Sequence, residues 1–220
     1  MAAMNRRTLL RAAPLLLAVP ALLPARLLAA APTPARLSER DRADLARAEA
    51  YLNTIHTLKA HFLQVSPDGS TAEGTAWMDR PGKMRFQYDA PSPLLLVAGH
   101  GLFFFHDSKL GQTTNLPLSA TPLGLLLTNN LKLSGDVTVT EVSRQPGMLQ
   151  IGMVRTASPD DGSLTLVFVD NPLALRQWSV VDSQGRETRV TLFNVQLGGS
   201  FDPQLFDFTP ETQGQVPGNG

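Results

Sequence analysis

The chain has 220 residues, enough for one domain of ordinary size with a sizeable core. It carries 19 basic and 19 acidic residues and no basic run, which argues against binding of nucleic acid. It contains no cysteine, which excludes a disulfide framework and thiolate chemistry and argues against a lipid anchor on a cysteine.

Residues 1–31 have the pattern of a secretory signal peptide. The adjacent Arg6 and Arg7 precede an apolar run broken by prolines, and small residues follow at 29–31. The arginine pair before two leucines favours a twin-arginine signal, and a general secretory signal is the alternative. We place cleavage within residues 29–35. The leader carries four arginines and no acid, so the mature protein is expected to have a net charge of about −4 and to be soluble in the periplasm.

One helix and about eleven strands are predicted in chain order. Ser38 and Asp41 match a capping box, and apolar residues at helical spacing then predict a helix over 39–56. From Leu58 the apolar period changes to two residues. The predicted strands are 58–66, 72–80, 83–89, 93–99, 102–107, 110–114, 135–143, 148–155, 163–169, 174–182 and 187–197. Many short strands joined by Gly and Pro turns indicate a mainly β (α+β) fold with one large antiparallel sheet.

Residues 120–130 interrupt the strand pattern. The segment is apolar and uncharged, and Thr121 followed by Pro122 is a helix-start signal. A short hydrophobic helix is therefore predicted here. Two interpretations stay open: a core helix that fills one face of the sheet, or a lid over a cavity.

Several strands have one strongly apolar face. In the strand after the Pro81-Gly82 turn, apolar residues alternate with Lys83, Arg85 and Gln87, so that its other face should be in water. Two helices are a small cover for about eleven strands. Either the sheet curls upon itself, or part of its apolar face is left for a bound apolar molecule. After Leu197, the aromatic residues Phe201, Phe206 and Phe208 are expected to form a last strand or an apolar patch.

No residue pattern for catalysis or metal binding is present in the sequence. The four histidines lack the spacing of zinc ligands. A Gly-x-Ser-x-Gly elbow, a phosphate-binding loop and a dinucleotide-binding motif are all absent. We therefore expect no enzyme activity, no cofactor and no metal. A hydrolase whose groups converge only in space is the alternative.

A series of motifs begins at Glu73-Gly74 and continues through Trp77 and Arg80-Pro81-Gly82 to the apolar run 94–99, the aromatic strand 102–107 and Thr121-Pro122-Leu123. In this order they resemble the periplasmic outer-membrane lipoprotein carrier proteins of the LolA type. The resemblance implies a carrier domain over 36–210. The Gly- and Gln-rich composition of the residues after it predicts a flexible tail at 211–220. It also implies an unclosed, curved antiparallel β-barrel in which short lid helices cover a cavity for acyl chains.

The resemblance further implies a function, partners and residue roles. The protein would be a monomeric carrier that takes acylated lipoproteins from an inner-membrane ABC-type release complex to an outer-membrane receptor. Arg80 matches the arginine that holds the lid closed in that family; without the resemblance it would be an exposed turn residue. A carrier of another envelope lipid or glycolipid is the alternative. The expected cavity residues are Trp77, Met84, Phe86, Tyr88, Leu95, Phe103, Phe105, Leu123, Leu126, Leu127, Leu166, Phe168 and Trp178.

Gly124 departs from what a stable lid helix needs. A glycine costs about 1 kcal/mol of helix propensity relative to alanine. The expectation is a looser lid, or a helix boundary that differs from 120–130.

Overall fold

The computed structural model describes residues 33–208, so that the signal peptide and the tail at 211–220 lie outside the described residues. The described chain forms one α-helix, α1 (Glu39–Thr54), and eleven strands. The strands are β1 (Thr57–Val65), β2 (Thr71–Asp79), β3 (Lys83–Tyr88), β4 (Leu94–Gly99), β5 (Leu102–Asp107), β6 (Gln112–Pro117), β7 (Val137–Gln145), β8 (Met148–Arg155), β9 (Gly162–Asp170), β10 (Leu173–Asp182) and β11 (Glu187–Leu197). Among the described helices, none has the length and hydropathy needed to cross a bilayer.

All eleven strands belong to one antiparallel sheet, as predicted. Their order is β6-β5-β4-β3-β2-β1-β11-β10-β9-β8-β7, so β6 and β7 are the two edges although they are consecutive in the chain. The sheet is curved and is not closed, because these two edges do not pair with each other. Residues 118–128, here named the lid segment, lie in the connection between the two edges.

Helix α1 begins where the sequence predicts it. The Ser38 hydroxyl accepts a hydrogen bond from the Asp41 N–H (3.2 Å), and the Asp41 carboxylate accepts one from the Ser38 N–H (2.7 Å). Arg144 of β7 fixes the helix to the sheet through Asp41 (2.8 Å) and Asp44 (2.6 Å). The helix ends at Thr54, two residues earlier than expected, because Ile55 is already extended. Its apolar residues pack on one face of the sheet, the concave face.

Most strand boundaries agree with the prediction within two residues, and two predicted segments differ by more. The sixth strand is 112–117 and not 110–114, because the Asp107 carboxylate accepts hydrogen bonds from the Lys109 and Leu110 N–H groups and fixes a turn there. The predicted helix at 120–130 consists of two short 3₁₀ helices, Leu118–Ala120 and Pro122–Leu127.

The other face of β2–β5, the convex face, is also covered. Residues 201–208, here named the C-terminal segment, lie against it, and Phe206 and Leu205 pack with Trp77. Arg85 is only 2% exposed and donates to the Leu205 carbonyl (3.2 Å) and the Gln87 side-chain oxygen (2.7 Å). The expectation of a hydrated face here is therefore wrong. The three phenylalanines of this segment form an apolar patch and not a strand.

Candidate functional site: an apolar cavity beneath the lid segment

A cavity of about 460 Å³ lies between the concave face and the lid segment. Aromatic side chains form its wall. The ring centroids of the lining residues Phe86 and Trp178 are 6.1 Å apart, edge-to-face. The ring of Phe62, which is fully buried and does not line the cavity, lies 4.7 Å from that of Phe86 and supports it. The lining residues are Gln64, Phe86, Tyr88, Leu96, Phe103, Phe105, Thr114, Leu116, Thr121, Leu123, Trp178, Val180, Asp182, Thr188 and Val190. The sheet therefore does not fill its own hollow.

The cavity is bordered by apolar residues that are accessible to water. Phe105 of β5 is 42% exposed and Leu116 of the edge strand β6 is 51% exposed, and both line the cavity. A monomer usually buries such side chains when its core can accommodate them. The rim at β5 and β6 is therefore a surface across which an apolar molecule could enter.

The structure divides the thirteen expected cavity residues into three groups. Six line the cavity: Phe86, Tyr88, Phe103, Phe105, Leu123 and Trp178. Five are buried in the core around it without lining it: Met84, Leu126, Leu127, Leu166 and Phe168. The remaining two are Trp77 and Leu95, and their expected placement in the cavity is wrong.

Strand register explains this correction. Trp77 is paired with Arg85, and Leu95 is paired with Gln87. Directly paired residues of an antiparallel sheet share a face, and the neighbours of Phe86 along the strand lie on the opposite face from it. Trp77 and Leu95 therefore lie on the convex face. The predicted strands 72–80 and 83–89 leave a two-residue turn, which would pair Trp77 with Phe86. The structure has a three-residue turn between Asp79 and Lys83, and this shift of one residue moves Trp77 to the other face.

Arg80 joins the end of the lid segment to the end of α1. Its Nε donates to the Thr128 carbonyl (3.0 Å), and its Nη1 donates to the carbonyls of Leu52 (2.5 Å) and Ile55 (3.1 Å). Next to it, the Gly82 N–H donates to the Leu127 carbonyl (2.8 Å). Burial lowers the pKa of Arg80 from its ordinary value. These are the contacts that a lid latch needs, and the latch role itself stays a prediction.

Arg155, at the end of β8, holds the other end of the lid segment. Its Nη2 donates to the carbonyl of Thr121 (3.1 Å), the residue that caps the second 3₁₀ helix. The lid segment is thus bound at both ends by arginines from opposite halves of the sheet. Sequence reasoning missed Arg155, because an arginine at a strand end has no local signal for such a contact.

Gly124 is required by close packing within the lid segment. A Cβ atom at this position would lie 2.2 Å from the Leu118 carbonyl oxygen and 3.2 Å from the Arg155 guanidinium. The glycine therefore permits a close backbone approach, and the helix boundary does differ from the expected one.

The described residues offer no obvious site for a metal ion. Within 33–208, no group of three His, Cys, Asp or Glu side chains is placed so that it could hold one. His61 and His100 each contact a single carboxylate, Glu73 and Asp207 respectively, at 3.2 Å.

Comparisons with known proteins agree with this architecture. The family model "Outer membrane lipoprotein carrier protein LolA" matches residues 53–209. The chain belongs to the LolA family. It is 29% identical to the outer-membrane lipoprotein carrier protein of Methylococcus capsulatus over 182 residues, covering 79% of this chain and 86% of that protein. The Azotobacter vinelandii protein of the same name is 29% identical over 187 residues, covering 80% and 87%.

Solved structures were also compared with the described chain. A putative outer membrane lipoprotein-sorting protein domain from Vibrio parahaemolyticus has a TM-score of 0.46 and 8% identity, covering 74% of this chain and 95% of that chain.

Proposed function

We propose that this LolA-family protein is a periplasmic carrier of lipoproteins. It binds the acyl chains of lipoproteins released from the inner membrane and delivers them to an outer-membrane receptor. The observation that carries the proposal is the unfilled apolar cavity of about 460 Å³ beneath a lid segment bound at both ends. The names of the curated relatives support it.

The physical need for such a cavity is large. An acyl chain of roughly 15 methylenes costs about 12 kcal/mol to hold in water, at ~0.8 kcal/mol per methylene. A carrier that crosses an aqueous space must cover most of that surface. The wall built from Phe86, Phe103 and Trp178 and the lid residue Leu123 provide an apolar cover of this kind.

The two arginines give the carrier a way to release its cargo. Arg80 and Arg155 donate to lid carbonyls, and we infer that the state held by these bonds is a closed one that competes with the loaded state. A ligand shifts such an equilibrium only by its differential affinity for the two states. Closing the lid therefore offsets part of the cargo's binding energy, which favours transfer to a receptor. The release complex in the inner membrane and the receptor are the partners that this cycle requires.

Depletion of the protein in cells tests the function. If it carries lipoproteins, its depletion should leave outer-membrane lipoproteins in the inner membrane, as measured by immunoblots of separated membranes. Re-expression of the wild-type chain should restore their sorting. Normal sorting in depleted cells would refute the proposal. In that case, mass spectrometry of lipids that copurify with the protein would identify a different envelope lipid as cargo.

A further inference from the structure

The cavity has one polar end. Gln64 lies near the end of β1, Asp182 is the last residue of β10, and Thr188 is near the start of β11. These positions meet at the sheet end opposite to Arg80, because adjacent strands are antiparallel. Tyr88, the last residue of β3, lies at the same end. The apolar wall therefore ends in a small group of polar side chains.

Gln64 and Tyr88 form a hydrogen-bonded pair inside the lining. The Tyr88 hydroxyl donates to the Gln64 Oε1 atom (2.7 Å), and Tyr88 is only 6% exposed. Phe62 packs edge-to-face on the Tyr88 ring with 5.1 Å between the centroids. Burial raises the pKa of Tyr88, so its hydroxyl stays protonated and keeps its role as donor. The carboxamide of Gln64 is thereby held in one orientation.

This orientation leaves donor capacity on Gln64. A carboxamide nitrogen has two N–H groups. In the described residues, Nε2 makes one long contact, with the Ser66 hydroxyl at 3.4 Å. At least one N–H group at the polar end of the cavity is therefore open to an acceptor on a bound molecule.

We propose, on the basis of the carrier function, that the Gln64 Nε2 atom donates a hydrogen bond to a carbonyl oxygen of the bound lipid. This carbonyl belongs to the ester or amide that joins the acyl chain to the cargo. Tyr88 is the positioning residue that orients the carboxamide. The acyl chain then runs along Phe86 and Trp178 towards Leu123 beneath the lid segment. A carbonyl buried at this end without a donor would lose its hydrogen bond to water, which disfavours binding.

The charges at this end favour a neutral acyl linkage over a phosphate. Among residues 33–208, no lysine or arginine lines the cavity. The charged lining residue is Asp182, whose carboxylate pairs with Arg186 (2.8 Å). A phospholipid headgroup would need cationic donors for its phosphate. An acylated cysteine has carbonyl groups and no phosphate.

A matched pair of lipids tests the proposal on the purified protein. One probe is a dipalmitoyl-S-glyceryl-cysteine peptide, which has two ester carbonyls. The other is its dihexadecyl ether analogue, which has the same chains and no carbonyl in the linkage. Affinities are measured by displacement of a fluorescent apolar dye from the wild type, Gln64→Leu and Tyr88→Phe. Gln177→Leu is the control, because it makes the same substitution on the opposite face of the sheet, where Gln177 contacts Thr191.

Gln64→Leu should weaken binding of the ester probe about 3- to 10-fold, the range of one hydrogen bond, and leave binding of the ether probe within about 2-fold. Tyr88→Phe keeps the ring and removes the hydroxyl that orients Gln64, so it should weaken binding of the ester probe by a smaller factor. Equal effects of Gln64→Leu on both probes, or no effect on either, would overturn the proposal and leave the carrier function standing. Tighter wild-type binding of dipalmitoylphosphatidylglycerol than of the ester probe would also overturn it. A wild type that binds neither lipopeptide would overturn the carrier function itself.

Discussion

The two faces of strands β2–β5 are covered in different ways. On the convex face, the C-terminal segment places Phe206, which is 2% exposed, against Trp77, and Arg85 donates to its Leu205 carbonyl. On the concave face, Arg80 donates to the Thr128 carbonyl of the lid segment. Both covers are thus bound by an arginine, and the concave cover lies over the unfilled apolar cavity.

This difference separates a structural cover from a functional one. Burial of apolar area is the main stabilising contribution of a cover, and the C-terminal segment buries large side chains fully. The lid segment borders a cavity whose rim at Phe105 and Leu116 stays in contact with water. We therefore expect changes in the C-terminal segment to alter global stability, and changes at the lid to alter cargo binding and release.

The largest expected effect on stability is that of Phe206→Ala. It removes a fully buried aromatic side chain from the cluster with Trp77 and Leu205, which costs about 3–5 kcal/mol of unfolding free energy. Urea titration followed by tryptophan fluorescence measures it. Leu116→Ala, at an exposed position of β6, should change the free energy of unfolding by no more than about 0.5 kcal/mol. Equal losses for the two variants would remove the distinction between the covers.

A matched pair of glycines compares the covers directly. A Cβ at Gly99 would lie 2.6 Å from the Phe206 carbonyl oxygen, and one at Gly124 would lie 2.2 Å from the Leu118 carbonyl oxygen. Gly99→Ala should destabilise the fold by about 1–3 kcal/mol, the range of overpacked cores. Gly124→Ala should mainly speed hydrogen exchange in residues 118–128, because a locally displaced segment opens without global unfolding. A larger global loss for Gly124→Ala would contradict this comparison.

Arg80→Leu should change transfer more than folding. The variant loses hydrogen bonds to the carbonyls of Leu52, Ile55 and Thr128, which should cost about 1–2 kcal/mol, because those carbonyls can be hydrated in part. It should accept cargo and release it poorly, since the closed empty state no longer competes with the loaded one. A purified assay of lipoprotein transfer to the receptor measures this. Transfer at the wild-type rate would show that Arg80 is only a turn residue.

The smallest effect concerns the pH dependence of helix α1, which packs on the concave face beside the lid segment. Hydrogen bonds from Ser38 and the nearby Arg144 lower the pKa of Asp41 from 3.8 to about 2. A lowered pKa in the folded state means that the carboxylate stabilises α1 above about pH 4, and that this stabilisation is lost as the pH falls towards 2. Asp41→Asn should therefore show a smaller fall in Tm between pH 6 and pH 2.5 than the wild type. An identical fall in the two proteins would mean that Asp41 contributes nothing to acid sensitivity.

Local patterns in the sequence predicted most of the fold. Alternation with a period of two, together with Gly and Pro turns, located all eleven strands, because a hairpin is specified by its own turn and by neighbouring residues. The capping box located the start of α1 for the same reason. Where an extra local contact intervened, as at the Asp107 turn before β6, the predicted boundary was wrong.

Partners distant in the chain could not be predicted in this way. Alternation correctly placed the side chains of Arg85 and Phe86 on opposite faces of β3. A period of two does not say whether the face that carries Arg85 is in water or is covered by another segment. The contact of Arg85 with Leu205 spans 120 residues, and that of Arg155 with Thr121 spans 34. Neither leaves a periodic signal near the arginine.

The sequence by itself determined the strands, the helix start and the apolar side of each strand, because these follow from backbone preferences and nearest neighbours. The tertiary structure decided which distant segment covers each apolar side and where an apolar cavity stays unfilled. That outcome depends on which distant segment covers each face and on how well its side chains fill the space beneath it. The volume of these side chains meets the volume of that space only when the whole sheet is assembled.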